Sequence, residues 1–181
     1  FGTTGTVRLG NGGDTLTFDG GFTHTAGNTA LNGTLATTND NVTINALTLG
    51  GNPVINTGGA AGNIEIQGNT TVSPASTLRL DAGTGDIETN GTIGTAALNL
   101  TSLTTSTTGT TTLENRVYTS GNVSITGNIV NIGAATPGTG GIDAGGTVTI
   151  THSGLLTIHD RTNDTDTANW DIVANGGFTQ T

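Results

Sequence analysis

Pairs of apolar residues recur along this chain, two positions apart and set between small polar residues. The clearest example is residues 122–128, where Val123 and Ile125 alternate with Asn, Ser and Thr and a glycine lies on either side. Related phrases begin near residues 41, 62, 85, 146 and 169. A period of two is that of a β-strand, whose successive side chains point to opposite faces. Each phrase therefore predicts a short strand with an apolar buried face and a polar outer face.

The same alternation predicts which side chains form the core. Six apolar residues that alternate with Ser, Thr or Glu are expected to point inward: Ile64, Ile66, Val123, Ile125, Val148 and Ile150. The intervening Thr residues are expected to form outward ladders, because β-branched side chains suit a pleated surface. Corners are expected at Gly and Asn, as in the predicted turn 11–14.

The spacing of the phrases predicts the architecture. Strands that look equivalent begin near residues 16, 42, 64, 87, 103, 123, 148 and 172, a mean step of about 22 residues. Such a step holds two or three short strands, which is one coil of a parallel β-helix. An antiparallel sandwich has similarly spaced turns, but the phrase returns once per coil and few aromatic residues are present to fill a sandwich core. We therefore predict an all-β fold, a right-handed parallel β-helix (β-solenoid) of about eight coils over residues 1–181.

Composition narrows the classes of partner. Thr, Gly and Asn supply 42, 31 and 19 of the 181 residues, and the net charge is −9 with no Lys and four Arg. An acidic chain without a basic patch is not expected to bind nucleic acid or an anionic membrane. The absence of Cys excludes disulfides and thiol chemistry. No apolar run has transmembrane length and no signal peptide is visible, so we expect no membrane insertion.

The sequence also contains a repeat with a period much longer than one coil. The phrase at 19–25 returns at 175–181, an offset of 156 residues, with five of the seven positions identical and Phe22 matched by Phe178. This predicts a repeat unit of 156 residues, 20–175, with the next copy starting near residue 176. Because the chain opens on Phe1 without Met, we expect it to be a processed piece of something longer.

Three phrases resemble one family. Residues 121–127, 82–87 and 175–181 are similar to the repeats of filamentous-haemagglutinin-like bacterial surface proteins, which are large repetitive exoproteins. The resemblance implies a secreted, extracellular β-helical shaft on the bacterial cell surface, used in adhesion or as a structural fibre. The expected partners are further copies or repeats stacked end to end, which the long repeat predicts, and cell-surface or glycan ligands, which an adhesive role would require.

Three groups of residues are candidate functional sites. Residues 160–166 carry Asp160, Asp164 and Asp166, oxygen ligands of the kind Ca²⁺ prefers, but without EF-hand spacing. A second group is Asp86 and Glu88 on one side of a strand, with Asp81 nearby; a glycosidase needs two such carboxylates. The third group is scattered: His24, His152 and His159. His24 and His152 have polar neighbours and are expected to point outward.

The expected function is structural or adhesive, without enzymatic activity, cofactor, catalytic residue or metal site. Two alternatives remain open. One is a β-helical polysaccharide-degrading enzyme, which a carboxylate cluster in a groove would favour. The other is an ice-binding protein that uses flat Thr-x-Thr ranks, which residues 15–17, 23–25, 105–107 and 147–149 fit singly but at irregular spacing.

Overall fold

The chain winds into a β-solenoid of short parallel strands, in agreement with the predicted fold class. This computed structural model describes residues 1–73, 75–133, 140–159 and 171–181, and none of them is helical. The strands are β1 (Thr6–Leu9), β2 (Thr15–Phe18), β3 (Phe22–Leu31), β4 (Thr34–Thr37), β5 (Val42–Leu49), β6 (Val54–Asn56), β7 (Ile64–Ile66), β8 (Thr70–Thr71), β9 (Thr77–Gly83), β10 (Ile87–Thr89), β11 (Ser102–Thr107), β12 (Thr110–Leu113), β13 (Arg116–Thr119), β14 (Val123–Gly127), β15 (Ile129–Ile132), β16 (Gly141–Ala144), β17 (Val148–His152), β18 (Leu156–Ile158), β19 (Ile172–Ala174) and β20 (Phe178–Gln180).

Three faces run along the solenoid. The first face is the eight-stranded sheet β2-β4-β6-β9-β11-β14-β17-β20. The second face stacks the first parts of β3 and β5 on β7, β10, β12, β15 and β18. The third face stacks β1 on the second parts of β3 and β5, then on β8, Ile93, β13, β16 and β19. Strands β3 and β5 each turn a corner and so contribute to two faces.

Over the residues that the structure describes, the solenoid makes about six turns, slightly fewer than the eight coils predicted. The strand starts counted from the sequence belong to different faces. Leu16 and Val123 lie on the first face, Ile64 and Ile87 on the second and Ile172 on the third. Successive predicted starts were therefore not always one whole coil apart.

The predicted core positions are confirmed. All six apolar side chains named above are buried, with at most 1% of their surface exposed. They form columns along the axis, because parallel in-register pairing places Val123 on Val148 and Ile125 on Ile150. Each coil thus buries its apolar side chains against its neighbours, which is how solenoids gain stability.

Several Thr side chains point inward, where the sequence analysis expected Thr on the outside. Thr105 and Thr111 are fully buried and continue columns of Leu80, Ile87 and Ile125. Thr resembles Val in shape, so it fits such a column without a cavity. The hydroxyl oxygens of Thr70, Thr89 and Thr105 have no hydrogen-bond partner among the described residues, and an unpaired buried hydroxyl costs stability.

Asn side chains join successive coils at the corner before the second face. The backbone N–H of Asn63 donates to Oδ1 of Asn41 at 2.9 Å, and the N–H of Asp86 donates to Oδ1 of Asn63 at 2.9 Å. The N–H of Thr110 then donates to Oδ1 of Asp86 at 2.7 Å. We call this series, Asn41–Asn63–Asp86–Thr110, the corner ladder. In each step a side-chain oxygen satisfies a backbone donor one coil further along the chain.

The two similar phrases that predicted the long repeat lie on different faces. Phe22 pairs with Val42 on the second face and is buried, whereas Phe178 pairs with Val148 on the first face. The 156-residue repeat stays a prediction.

Candidate functional site

The three carboxylates of the candidate enzyme site do not lie together. Asp86 and Glu88 flank inward-pointing Ile87 on the second face, as the alternation predicted. Asp81 lies on the first face, where its Oδ2 accepts a hydrogen bond of 2.7 Å from Nε of Arg79. The structure therefore separates Asp81 from the other two side chains.

Asp86 has a structural partner. Its Oδ1 accepts the backbone N–H of Thr110, the position that the amide oxygens of Asn41 and Asn63 hold in the preceding coils. A carboxylate oxygen serves this purpose as an amide oxygen does, because both accept hydrogen bonds. The hydrogen bond assigns Asp86 to the corner ladder.

Glu88 lies among other acidic side chains that the sequence analysis did not group with it. Glu65 lies directly opposite Glu88 on the neighbouring strand, and Glu114 follows the strand on its other side. Partial burial, and then repulsion by Glu114 and Glu65, raise the pKa of the Glu88 carboxyl above its ordinary value. The sequence feature that could have predicted the Glu65–Glu88 contact is their separation of 23 residues, which equals the local coil length.

We expect Glu88→Gln to stabilise the chain at pH 7 by about 0.2–1 kcal/mol, the range for like charges on adjacent strands. Because the pKa of Glu88 is raised on folding, the folded chain binds its proton more tightly than the unfolded chain. This contribution to stability is fully present below the ordinary Glu pKa and is lost as the pH rises through the raised value. Urea unfolding at a series of pH values between 4 and 7 measures the change.

The gain from Glu88→Gln should shrink as the pH falls, since the wild-type carboxyl becomes neutral there. Asp19→Asn is the matched control, because it also removes one negative charge but lies in an exposed turn. An equal gain from both variants at pH 7 would trace the effect to net charge and contradict the role given to Glu65 and Glu114.

The histidines are separate from one another, and the expectation for His24 was wrong. His24 is fully buried, because it lies two residues after inward-pointing Phe22 and shares its side of the strand. Its Nε2–H donates to the carbonyl of Thr3 at 3.0 Å, so Nδ1 accepts the hydroxyl of Thr29 at 2.9 Å. Both ring nitrogens are thus used inside the fold.

His152 is half-buried and also has both ring nitrogens engaged. The side-chain amide of Gln180 donates to its Nε2 at 2.7 Å, and its Nδ1–H donates to the carbonyl of Gly154 at 2.9 Å. His159, at the end of the second face, is half-buried. The candidate cation loop with Asp160, Asp164 and Asp166 lies outside the described residues. Within the described ranges, no three His, Asp or Glu side chains converge in a way that could hold a metal ion.

The first face carries a regular array of hydroxyl groups on its later strands. Two outward columns run through β11, β14, β17 and β20, one of Thr104, Ser124, Thr149 and Thr179 and one of Ser106, Thr126, Thr151 and Thr181. We call these eight residues the hydroxyl face. Its ranks follow one another in constant register, one per coil.

Sequence reasoning largely missed this array. Among the phrases considered for ice binding, Thr105 and Thr107 point inward and are buried, while 23–25 belongs to the second face. Of the Thr residues in those phrases, only Thr149 lies in the hydroxyl face; Ser106, the middle residue of 105–107, lies there as well. Ser106 could be assigned to the outer column only after pairing with β9 and β14 had fixed the register.

Where the chain is described, no helix is long and apolar enough to span a membrane. Comparison of the chain with models of protein families, with curated proteins and with solved structures found no match.

Proposed function

We propose that this chain is a structural segment of an extracellular, filamentous-haemagglutinin-like surface protein, in which it forms part of a β-helical shaft or fibre. The observation that carries the proposal is the parallel stacking of short strands along three faces of the described chain. Eight strands on the first face, spaced by about 4.8 Å, correspond to a rod roughly 34 Å long. The inward side chains fill the interior, so the fold supplies length and stiffness.

The polar residues support a structural role over an enzymatic one. Asp86 is held in the corner ladder, Asp81 is paired with Arg79, and His24 is engaged on both nitrogens. A glycosidase requires two free carboxylates on either side of the scissile bond. Release of sugar ends from a polysaccharide by the wild-type chain, lost in Asp86→Ala and Glu88→Ala, would contradict the proposal.

The proposed partner is a further coil stacked on the last described one, from a second copy or a further repeat. Ile158 and Phe178 continue the inward columns of Ile132 and Val148, yet 40% and 47% of their surfaces are exposed. A further coil would cover both side chains and pair the open strand edges beneath them. Such a head-to-tail contact does not close, so it generates filaments.

Electron microscopy and sedimentation of the purified chain test this association. We expect rods longer than one copy, growing with concentration, and a loss of that growth in Phe178→Asp. Thr157→Asp is the matched control, because Thr157 lies on the neighbouring strand of the second face and points outward. Particles of one copy at all concentrations, or equal loss in both variants, would contradict stacking at this end.

A further inference from the structure

We propose that the hydroxyl face binds the surface of ice. This inference is independent of the proposed shaft function, since it concerns an outer surface that end-to-end stacking leaves free. It rests on three properties of the face: the register of its columns, the state of its hydroxyl groups and the absence of charge.

The register makes the array periodic in two directions. Thr104 pairs with Ser124, Ser124 with Thr149 and Thr149 with Thr179, so one column repeats at the strand spacing of about 4.8 Å. Within each strand the second column is two residues further on, about 6.6–6.8 Å away. Parallel pairing without a register shift between β11, β14, β17 and β20 keeps the ranks aligned.

The hydroxyls of this array remain available to solvent. Those of Thr104, Ser106, Ser124, Thr126 and Thr149 make no hydrogen bond to another described residue, and none of their oxygens is buried. Only Thr151 and Thr181 bond to each other, at 3.1 Å. Elsewhere polar side chains satisfy the backbone, as in the corner ladder. The array therefore presents donors and acceptors outward at fixed positions.

Charge is confined to other parts of the surface. The two outward columns carry none over β11, β14, β17 and β20, although the chain has a net charge of −9. The pair Arg79–Asp81 on β9 borders the array. A charged group holds its own hydration shell firmly, whereas neutral hydroxyls exchange one water for another at little cost.

These properties match a lattice of water molecules. Ice is neutral, flat on the scale of one protein face and periodic in two directions. Rigid strands hold the hydroxyls in place before contact, so little entropy is lost on binding. The Thr methyl groups beside them are apolar, so removing them from liquid water lowers the free energy. A polysaccharide surface fits less well, because neither column contains an aromatic ring on which a sugar could stack.

Partition of the chain into slowly growing ice, together with the gap between the melting and freezing points of a single crystal, tests the proposal. We expect the wild-type chain to enter the ice and to open a measurable gap. Ser124→Tyr places a large ring at the centre of the array and should lower both effects at least tenfold. Thr149→Val keeps the side-chain shape but removes one hydroxyl and should produce a smaller loss.

Thr43→Tyr is the matched control, because Thr43 is outward and half-buried but lies on the second face. Circular dichroism checks that each variant remains folded; if Ser124→Tyr is not, Thr149→Val alone must show the loss. Exclusion of the wild-type chain from ice overturns the proposal, as does an equal loss in Thr43→Tyr. Retention on insoluble cellulose or chitin with exclusion from ice would assign the face to a glycan instead.

Discussion

Ile125→Ala is expected to lower the free energy of unfolding by about 2–5 kcal/mol, the range for truncation of a large buried aliphatic side chain. Ile125 is fully buried in the column between Thr105 and Ile150. Removing most of its side chain leaves a cavity that strands held in register on both sides cannot easily close. Equilibrium unfolding in urea measures the loss.

Ser124→Ala is the control for Ile125→Ala, since Ser124 is the adjacent residue on the outward side of the same strand. We expect its effect to stay within about 0.5 kcal/mol, as for most surface substitutions. Comparable losses in the two variants would mean that the inward and outward sides of β14 had been assigned wrongly.

Gly91→Ala is expected to destabilise the solenoid by about 1–3 kcal/mol, the usual range for a side chain forced into filled space. A Cβ added at Gly91 would overlap the carbonyl carbon and oxygen of Gly68 in the coil below. These are backbone atoms, so relief requires the two coils to move apart. The φ angle of Gly91 is not positive, so the expected effect is steric.

Gly20→Ala is the control for Gly91→Ala. A Cβ at Gly20 meets no atom within 4 Å, and its φ angle is not positive either. We expect a change close to zero in thermal unfolding, with a clearly lower melting temperature for Gly91→Ala. If both variants have the same melting temperature, the close approach of the coils at Gly68 does not limit stability.

The sequence was most informative where hydropathy changes from one residue to the next. Val123-Ser124-Ile125 alternates strongly, and the structure places its side chains as predicted. Residues 104–112 contain only Thr, Ser and Gly, so alternation could not show which of them point inward. Pairing with Leu80 and Ile125 decides that Thr105 is inside, and this information belongs to the neighbouring coils.

The candidate sites show the same limit. Asp86 and Glu88 could be placed on one side of a strand because they are two residues apart. Glu65 joins them only through the coil length of 23 residues, and the count of coils from the sequence mixed the faces. The prediction for His24 was wrong because its Thr neighbours suggest exposure, whereas alternation from Phe22 places its side chain inside.

The side-chain hydrogen bonds of the corner ladder all run in one direction along the solenoid. In every step the acceptor precedes its donor along the chain. The side-chain oxygen of Asn41 accepts the backbone N–H of Asn63, and those of Asn63 and Asp86 accept the N–H groups of Asp86 and Thr110. A finished coil therefore already displays the oxygen that the next coil needs.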